Sequence, residues 1–264
     1  MPDRTELEWT YEPADLFDVP YERVEATWHL LVDRGRVRAT LVAPQAQVDS
    51  ALEERIAQQV QRILLARQLQ VHRAYRLQGP SIWQQQRDKR HVSVRAKPAF
   101  AVWVVPRADT VVKDRNGAVV RDTKAERIAG ETRTLDLFAA EAAQDETVRA
   151  VVESYSRSVS DPDDELVHLY EVRDALSTRY RSEAAAREAL GIPRAEWQRL
   201  GAIANAEAID QGRHRGKHPG GRRSATDAEL AEVRDMVRRW ITVFARTVGG
   251  DSAGFSACTR RPPT

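Results

Sequence analysis

The stretch LDLFAAEAAQDETVRAVVESYSRSV, residues 135–159, decides the fold class, because the hydrophobic period of the chain changes there. Leu135, Phe138, Val148, Val151, Val152 and Tyr155 recur at helical spacing and make one broad apolar face. Downstream the pattern stays helical. SDPDDE (160–165) breaks the chain and restarts it, with Asp161 placed to cap the next helix and Pro162 suited to its first turn. The acids that follow favour the positive end of the helix dipole. That helix turns Leu166, Leu169, Tyr170, Leu176 and Tyr180 inward. SEAAAREALG (182–191) is a short helix between Ser182 and Gly191, and PRAEWQRLGAIAN (193–205) is a second with Trp197, Leu200 and Ile203 on one face. TDAELAEVRDMVRRWITVFA (226–245) is the last strong helix, opened by a capping box of Thr226 and Glu229.

Upstream the period shortens. ATWHLLVDRGRVRATLV (26–42) is two apolar runs around Asp33-Arg34-Gly35, and glycine supplies the positive φ that a tight turn needs. VDSALEERIAQQVQRILLARQLQ (48–70) spaces Leu52, Ile56, Val60, Ile63 and Leu64 as an amphipathic helix, with Asp49 or Ser50 as N-cap. VHRAYRL (71–77) and RHVSVRAKPAFAVWVV (90–105) read as strands, the second split at Pro98. Asn116-Gly117 inside TVVKDRNGAVVRD (110–122) signals another hairpin. The expected fold is therefore α+β, an N-terminal mixed hairpin/helix domain over 1–130 followed by a helical bundle over 131–248. The tail 249–264 lacks periodicity and is expected to be disordered.

Composition narrows the class. The chain has 264 residues, 42% of them hydrophobic and 30% charged, enough for a core under a wet surface. No apolar run is long enough to cross a membrane, and the acidic start MPDRTELEWTYEPADLF lacks the apolar centre of a signal peptide. Cys258 is the sole cysteine, so no internal disulfide can form, and a reducing, cytoplasmic setting is expected. The net charge of +2 is unevenly spread: residues 1–30 carry eight acids against two bases, and residues 61–100 carry nine bases against Asp88. Such segments either neutralise each other in the fold or leave a basic surface for a polyanion.

The most concentrated chemistry is QGRHRGKHPGGRR (211–223), with five cations, two histidines, four glycines and no acid. Arg213, Arg215, Lys217, Arg222 and Arg223 lie ahead of the helix that begins near 226, where a dipole already favours anions. Glycine lets backbone come close to a phosphate. The spacing does not match a P-loop. The expected function is non-catalytic binding of a polyanion, RNA or DNA, by this loop, and it requires guanidinium groups that stand unpaired. His214 between arginines adds a proton-transfer possibility for RNA cleavage. The segment 182–205 also has the form of a helix-turn-helix. Gly191 is its turn glycine, Ile192, Trp197 and Leu200 are its packing positions, and Arg194, Gln198 and Arg199 lie on the outer face. Arg187, four before the glycine, occupies a position where close helix approach usually wants a small side chain. A third zone, HRAYRLQGPSIWQQQRDKRHVSVRAK (72–97), interleaves Tyr75 and Trp83 with arginines and lysines, but its alternation is also that of an ordinary wet strand face. His29, His72, His91 and His168 are scattered, Asp161, Asp163, Asp164 and Glu165 lack EF-hand spacing, and no G-x-S-x-G occurs. No metal and no cofactor is expected; the expected partners are nucleic acid, a protein or a second copy, and not a membrane.

The chain from WTYEPADLF through DPDDELVHLYEVRDAL to RLGAIANAEAIDQGRHRGKHPGG resembles a family of bacterial proteins to which the resemblance attaches no activity. Within it, residues 165–245 resemble HEPN domains. That resemblance implies a helical bundle and, as an alternative function, a metal-independent ribonuclease centred on His214. No arginine stands at the HEPN distance before His214, because Arg199 is too far away and Ala204, not an arginine, stands directly before Asn205.

Overall fold

The computed structural model describes residues 4–42, 49–86, 89–92, 109–116, 118–141, 144–213, 216 and 221–255. The chain is α+β, with strands first and helices after them, and it divides into two compact units. The first takes residues 1–67 and 75–133, and the second takes 68–74 and 134–264.

The first unit is built on a six-stranded antiparallel sheet. Its strands are β1 (Arg4–Glu12), β2 (Tyr21–Val24), β3 (Trp28–Asp33), β4 (Arg36–Leu41), β5 (Arg76–Gln86) and β6 (Lys89–Val92), in the spatial order β2-β3-β4-β1-β5-β6. The hairpin expected around Asp33-Arg34-Gly35 joins β3 to β4, and Arg34 and Gly35 both take positive φ. Alternation sets the buried face. Leu7, Trp9 and Tyr11 of β1, Trp28, Leu30 and Val32 of β3, and Val37, Ala39 and Leu41 of β4 are buried. With them lie Leu52, Ile56, Val60, Ile63 and Leu64 of helix α1 (Ser50–Val71), whose N-cap is Asp49, accepting from the Leu52 amide at 2.6 Å.

The acidic N-terminus does not stand apart as a charged arm. As β1 it lies between β4 and β5, with Glu8 opposite Arg38 and Glu12 opposite Arg76. The Arg67 guanidinium, 2% exposed, donates to the Leu16 carbonyl at 2.7 Å and pairs with Glu131 at 2.7 Å and Asp18 at 3.5 Å. Acidic and basic segments of this unit thus meet. Strands β7 (Val111–Lys113) and β8 (Val119–Asp122) form the second expected hairpin, closed by the Asp114 carboxylate accepting from the amides of Asn116 and Ala118.

Several expected features differ. Asp161 makes no side-chain capping bond; its amide donates to the Arg157 carbonyl, and a 3-10 turn over Pro162–Asp164 leads into the next helix. Of the strand expected over 90–105, residues 93–105 lie outside the described residues. Residues 71–77 are not one strand: α1 runs to Val71, His72 turns the chain with φ +47, and β5 begins at Arg76. The stretch 135–159 is two helices, α2 (Thr123–Glu141) and α3 (Glu146–Ser160). Asp145 makes the break by accepting from the Val148 amide at 2.9 Å as the N-cap of α3. The apolar positions on either side still end up buried, as Leu135 and Phe138 before it and Val148, Val151, Val152 and Tyr155 after it.

The second unit continues with α4 (Glu165–Arg179), α5 (Glu183–Leu190), α6 (Arg194–Gly201), a π-helical turn over Ala202–Ala206, and α7 (Asp227–Phe255). The capping box forms as expected: Thr226 Oγ1 accepts from the Glu229 amide at 3.2 Å and Glu229 accepts from the Thr226 amide at 2.9 Å. Helix α7 continues to Phe255 instead of ending at 245, while Cys258 and the rest of the tail lie outside the described residues. No helix among the described residues is long and apolar enough to cross a membrane.

Across the bundle a buried polar set braces α7. Glu165, 2% exposed at its side chain, accepts two bonds from Arg234 at 2.5 and 2.6 Å. His72 faces the same carboxylate at 3.5 Å through Nε2 and meets the Tyr155 hydroxyl at 3.1 Å through Nδ1. Burial, with Arg234 and Arg238 nearby, lowers the His72 pKa to about 4, so the imidazole is neutral near pH 7. A neutral ring accepts at Nδ1 from Tyr155 and keeps its proton on Nε2, toward Glu165.

Candidate nucleic-acid interface

The segment 182–201 folds as two eight-residue helices joined by a three-residue turn. Ser182 caps α5 by accepting from the Ala185 amide at 3.1 Å. At the other end the Ile192 amide donates to the Arg187 carbonyl at 2.8 Å, and Gly191 lies in the left-handed region at φ 61°, ψ 30°. This is a Schellman ending, and it turns Ile192 inward, where it is buried. Pro193 then leads into α6.

Ala186 and Leu190 of α5 and Trp197 and Leu200 of α6 are buried. The small side chain needed for close approach is Ala186, one residue before the position held by Arg187, which is only half-buried. Both helices pack on α4, and α5 also packs on α7. Trp197 stacks on Trp240 with ring centroids 5.1 Å apart, and the Arg173 guanidinium lies 5.2 Å from the Trp197 ring and 4.9 Å from that of Tyr170. Arg173 also pairs with Glu183 at 2.6 Å, so one α4 side chain ties α5 to α6. Gly201 makes this possible, since a Cβ there would fall on Arg173 Nη1. Glu196 is held by Arg239 at 3.0 Å and by the Trp240 indole N–H at 3.2 Å. With the inner face fixed in this way, Arg194, Ala195 and Gln198 are exposed on the outer face.

The basic loop is stitched at its neck. The Asp210 amide donates to the Arg223 carbonyl and the Arg223 amide to the Ala208 carbonyl, each at 3.0 Å, and Arg213 donates its amide to the Ala204 carbonyl at 2.7 Å. The requirement that its guanidinium groups stand unpaired does not hold for the described ones. Arg213 pairs with Asp174 at 3.0 Å and lies 4.4 Å from the Tyr170 ring centroid. Arg222 pairs with Asp210 at 3.0 Å. Arg223 makes two 2.7 Å bonds to Glu229 and one of 3.0 Å to Glu207. The Arg223 pair holds the Glu229 pKa down at about 2. The physical reason is that the acids missing from the loop are supplied by α4, by the segment before the loop and by the first turn of α7. His214, Arg215 and Lys217 lie outside the described residues.

Of the residues expected to meet nucleic acid, Arg194 is exposed at the start of α6. Arg199 is turned onto Glu207 at 3.1 Å, Glu232 at 3.3 Å and Glu229 at 3.9 Å. The helix spacing pointed to Arg194, Gln198 and Arg199, but not to these three glutamates or to Asp174. No spacing rule links an arginine to carboxylates on other elements. Among the described residues, no group of three or more histidine, cysteine, aspartate or glutamate side chains is arranged to hold a metal.

Comparison with protein-family models, with curated proteins and with solved structures returns no match.

Proposed function

We propose that this chain is a non-catalytic nucleic-acid-binding protein that engages duplex DNA through α5, the Gly191 turn and α6. The observation that carries the reading is the two-sided character of α6. Its inner face is fixed by Trp197 on Trp240, Leu200 in the core and Glu196 on Arg239, and its outer face offers Arg194, Ala195 and Gln198 to solvent. A helix supported in this manner fits the major groove, where it needs a rigid backing and a few long polar side chains. Arg194 and Gln198 are four residues apart, about 6 Å along the helix axis, which is within about two base steps. Arginine suits the O6 and N7 acceptors of guanine, glutamine the N7 and N6 of adenine, and the Ala195 methyl suits a thymine methyl. The chain thereby belongs in the compartment that holds its nucleic acid, the bacterial cytoplasm.

The basic loop has an auxiliary part. Arg213 is stacked on Tyr170 as well as paired with Asp174, and Arg223 is bound to Glu229 through two 2.7 Å bonds, so both are held by more than a single exposed pair and fix the loop's neck. The test is fluorescence anisotropy with a labelled random-sequence 20-bp DNA duplex at several salt concentrations. Retention falling steeply between 50 and 200 mM salt is expected. On this random-sequence duplex Arg194→Ala with Gln198→Ala is expected to weaken binding about threefold, through the loss of one cation from the docked face. Equal affinity of the double variant and the parent would refute the reading. Preference for single-stranded RNA would transfer the role to another surface, and no nucleic-acid affinity at 50 mM salt would leave a protein-docking scaffold.

A further inference from the structure

Arg199 lies beside the proposed reading face, yet its guanidinium is engaged by three acids. With Arg194 as origin and 3.6 residues per turn, Gln198 sits at about 40°, Ala195 at about 100° and Arg199 at about 140° around the helix. The buried Leu200 and Trp197 sit opposite, at about 240° and 300°. Arg199 therefore borders the exposed face of α6, and its side chain remains 37% exposed. Its guanidinium is held by Glu207, Glu229 and Glu232 at 3.1 to 3.9 Å.

Those acids are shared. Arg223 holds Glu229 through two bonds of 2.7 Å and Glu207 at 3.0 Å, whereas Glu232 pairs with Arg199 and is 47% exposed. Two arginines thus serve three carboxylates. If Arg199 swung to another anion, Glu207 and Glu229 would keep Arg223, and Glu232 would pass to water. Each of the three carboxylates then remains paired or hydrated, so the exchange is far less costly than breaking a buried pair.

We propose that Arg199 is a phosphate-binding residue of the duplex interface held in reserve, with the glutamates around it, Glu232 foremost, standing in for the DNA phosphate in the free protein. This rests on α5 and α6 being the duplex-binding pair. Docking of α6 exchanges carboxylate for phosphate on Arg199, and the free protein keeps non-specific affinity low because this cation is already engaged. The internal acids act as competitive stand-ins for the backbone, so strength of binding is governed by how tightly Glu232 holds Arg199.

The experiment is a double-mutant cycle read by the same anisotropy titration at 100 mM salt, with the same random-sequence 20-bp duplex. Glu232→Gln keeps helix propensity and shape at an exposed site and removes the charge that competes. It is expected to tighten binding about fivefold with little change in salt slope, because Arg199 meets the same phosphate in the parent complex. Arg199→Ala is expected to weaken binding about threefold. In the Arg199→Ala background, Glu232→Gln is expected to lose most of its gain, because there is no guanidinium left to release. If Glu232→Gln gains equally with and without Arg199, its effect is general charge and the proposal is overturned. The proposal is equally overturned if Glu232→Gln gains nothing while Arg194→Ala with Gln198→Ala still weakens binding, and the duplex reading then survives. If no member of the set binds duplex, both ideas fall together.

Discussion

His72 is the residue in which local chemistry and fold are most tightly joined. It ends α1 with a positive φ, and its ring sits between Tyr155 and Glu165, where burial first, and then Arg234 and Arg238 nearby, disfavour a further positive charge. Its folded pKa, about 4, lies below the ordinary value of 6.5. The unfolded chain therefore takes up a proton as pH falls below 6.5, while the folded chain does not until about 4. Stability is lost across that window, by up to about 1.4 kcal/mol per pH unit. Melting temperatures measured from pH 7.5 to 4.5 should fall less steeply in His72→Asn, since asparagine tolerates the left-handed backbone and carries no proton there. Parallel curves would contradict the assignment of a buried neutral imidazole. Gly191 is the second decisive residue. A Cβ there meets nothing within 4 Å, so Gly191→Ala carries only the backbone cost of φ +61°, about 1–2 kcal/mol, and Gly191→Asn less. Chemical denaturation would read both, and a fully tolerated alanine would show that the turn is not strained.

Between elements, the α4–α6 contact depends on a glycine meeting an arginine. Gly201→Ala is expected to push Arg173 off its place between Tyr170 and Trp197 and away from Glu183. Because the group displaced is the end of a flexible side chain and alanine regains about 1 kcal/mol at a helical position, the net change in stability is expected to stay within about 1 kcal/mol, and the readout is altered tryptophan fluorescence from the Trp197–Trp240 stack. Glu165→Ala, which strips Arg234 of its partner, is expected to cost about 3 kcal/mol in a denaturant titration. This is the low end for a buried pair, because Arg234 keeps 29% exposure. Helical elements with capping signals were legible in sequence: Thr226 with Glu229 opens α7, and Ser182 and Gly191 bracket α5. The break at Asp145 was also written in AAQDETV, but the apolar positions on either side align well enough to read as one helix. Strand β1 was hidden for a different reason. Thr5, Leu7, Trp9 and Tyr11 alternate with polar residues, yet the acids among them draw the reading toward charge instead of period.

For the whole molecule, the division into a strand-rich first part and a helical second part follows from the shift between period 2 and period 3.6. What sequence could not convey was pairing at a distance. Arg213, Arg222 and Arg223 sit in a run that contains no acid, and their partners Asp174, Asp210, Glu207 and Glu229 come from outside it. Local charge density therefore overstates the free positive charge of the loop, and the exposed outer face of α6 becomes the better candidate for contact with DNA. The most direct measurement is the change in backbone amide NMR shifts of the full chain on adding a 20-bp DNA duplex at 50 mM salt. The largest changes are expected on residues 187–198, at the end of α5, the turn and the outer side of α6. Changes confined to any other surface, or none at saturating duplex, would contradict it.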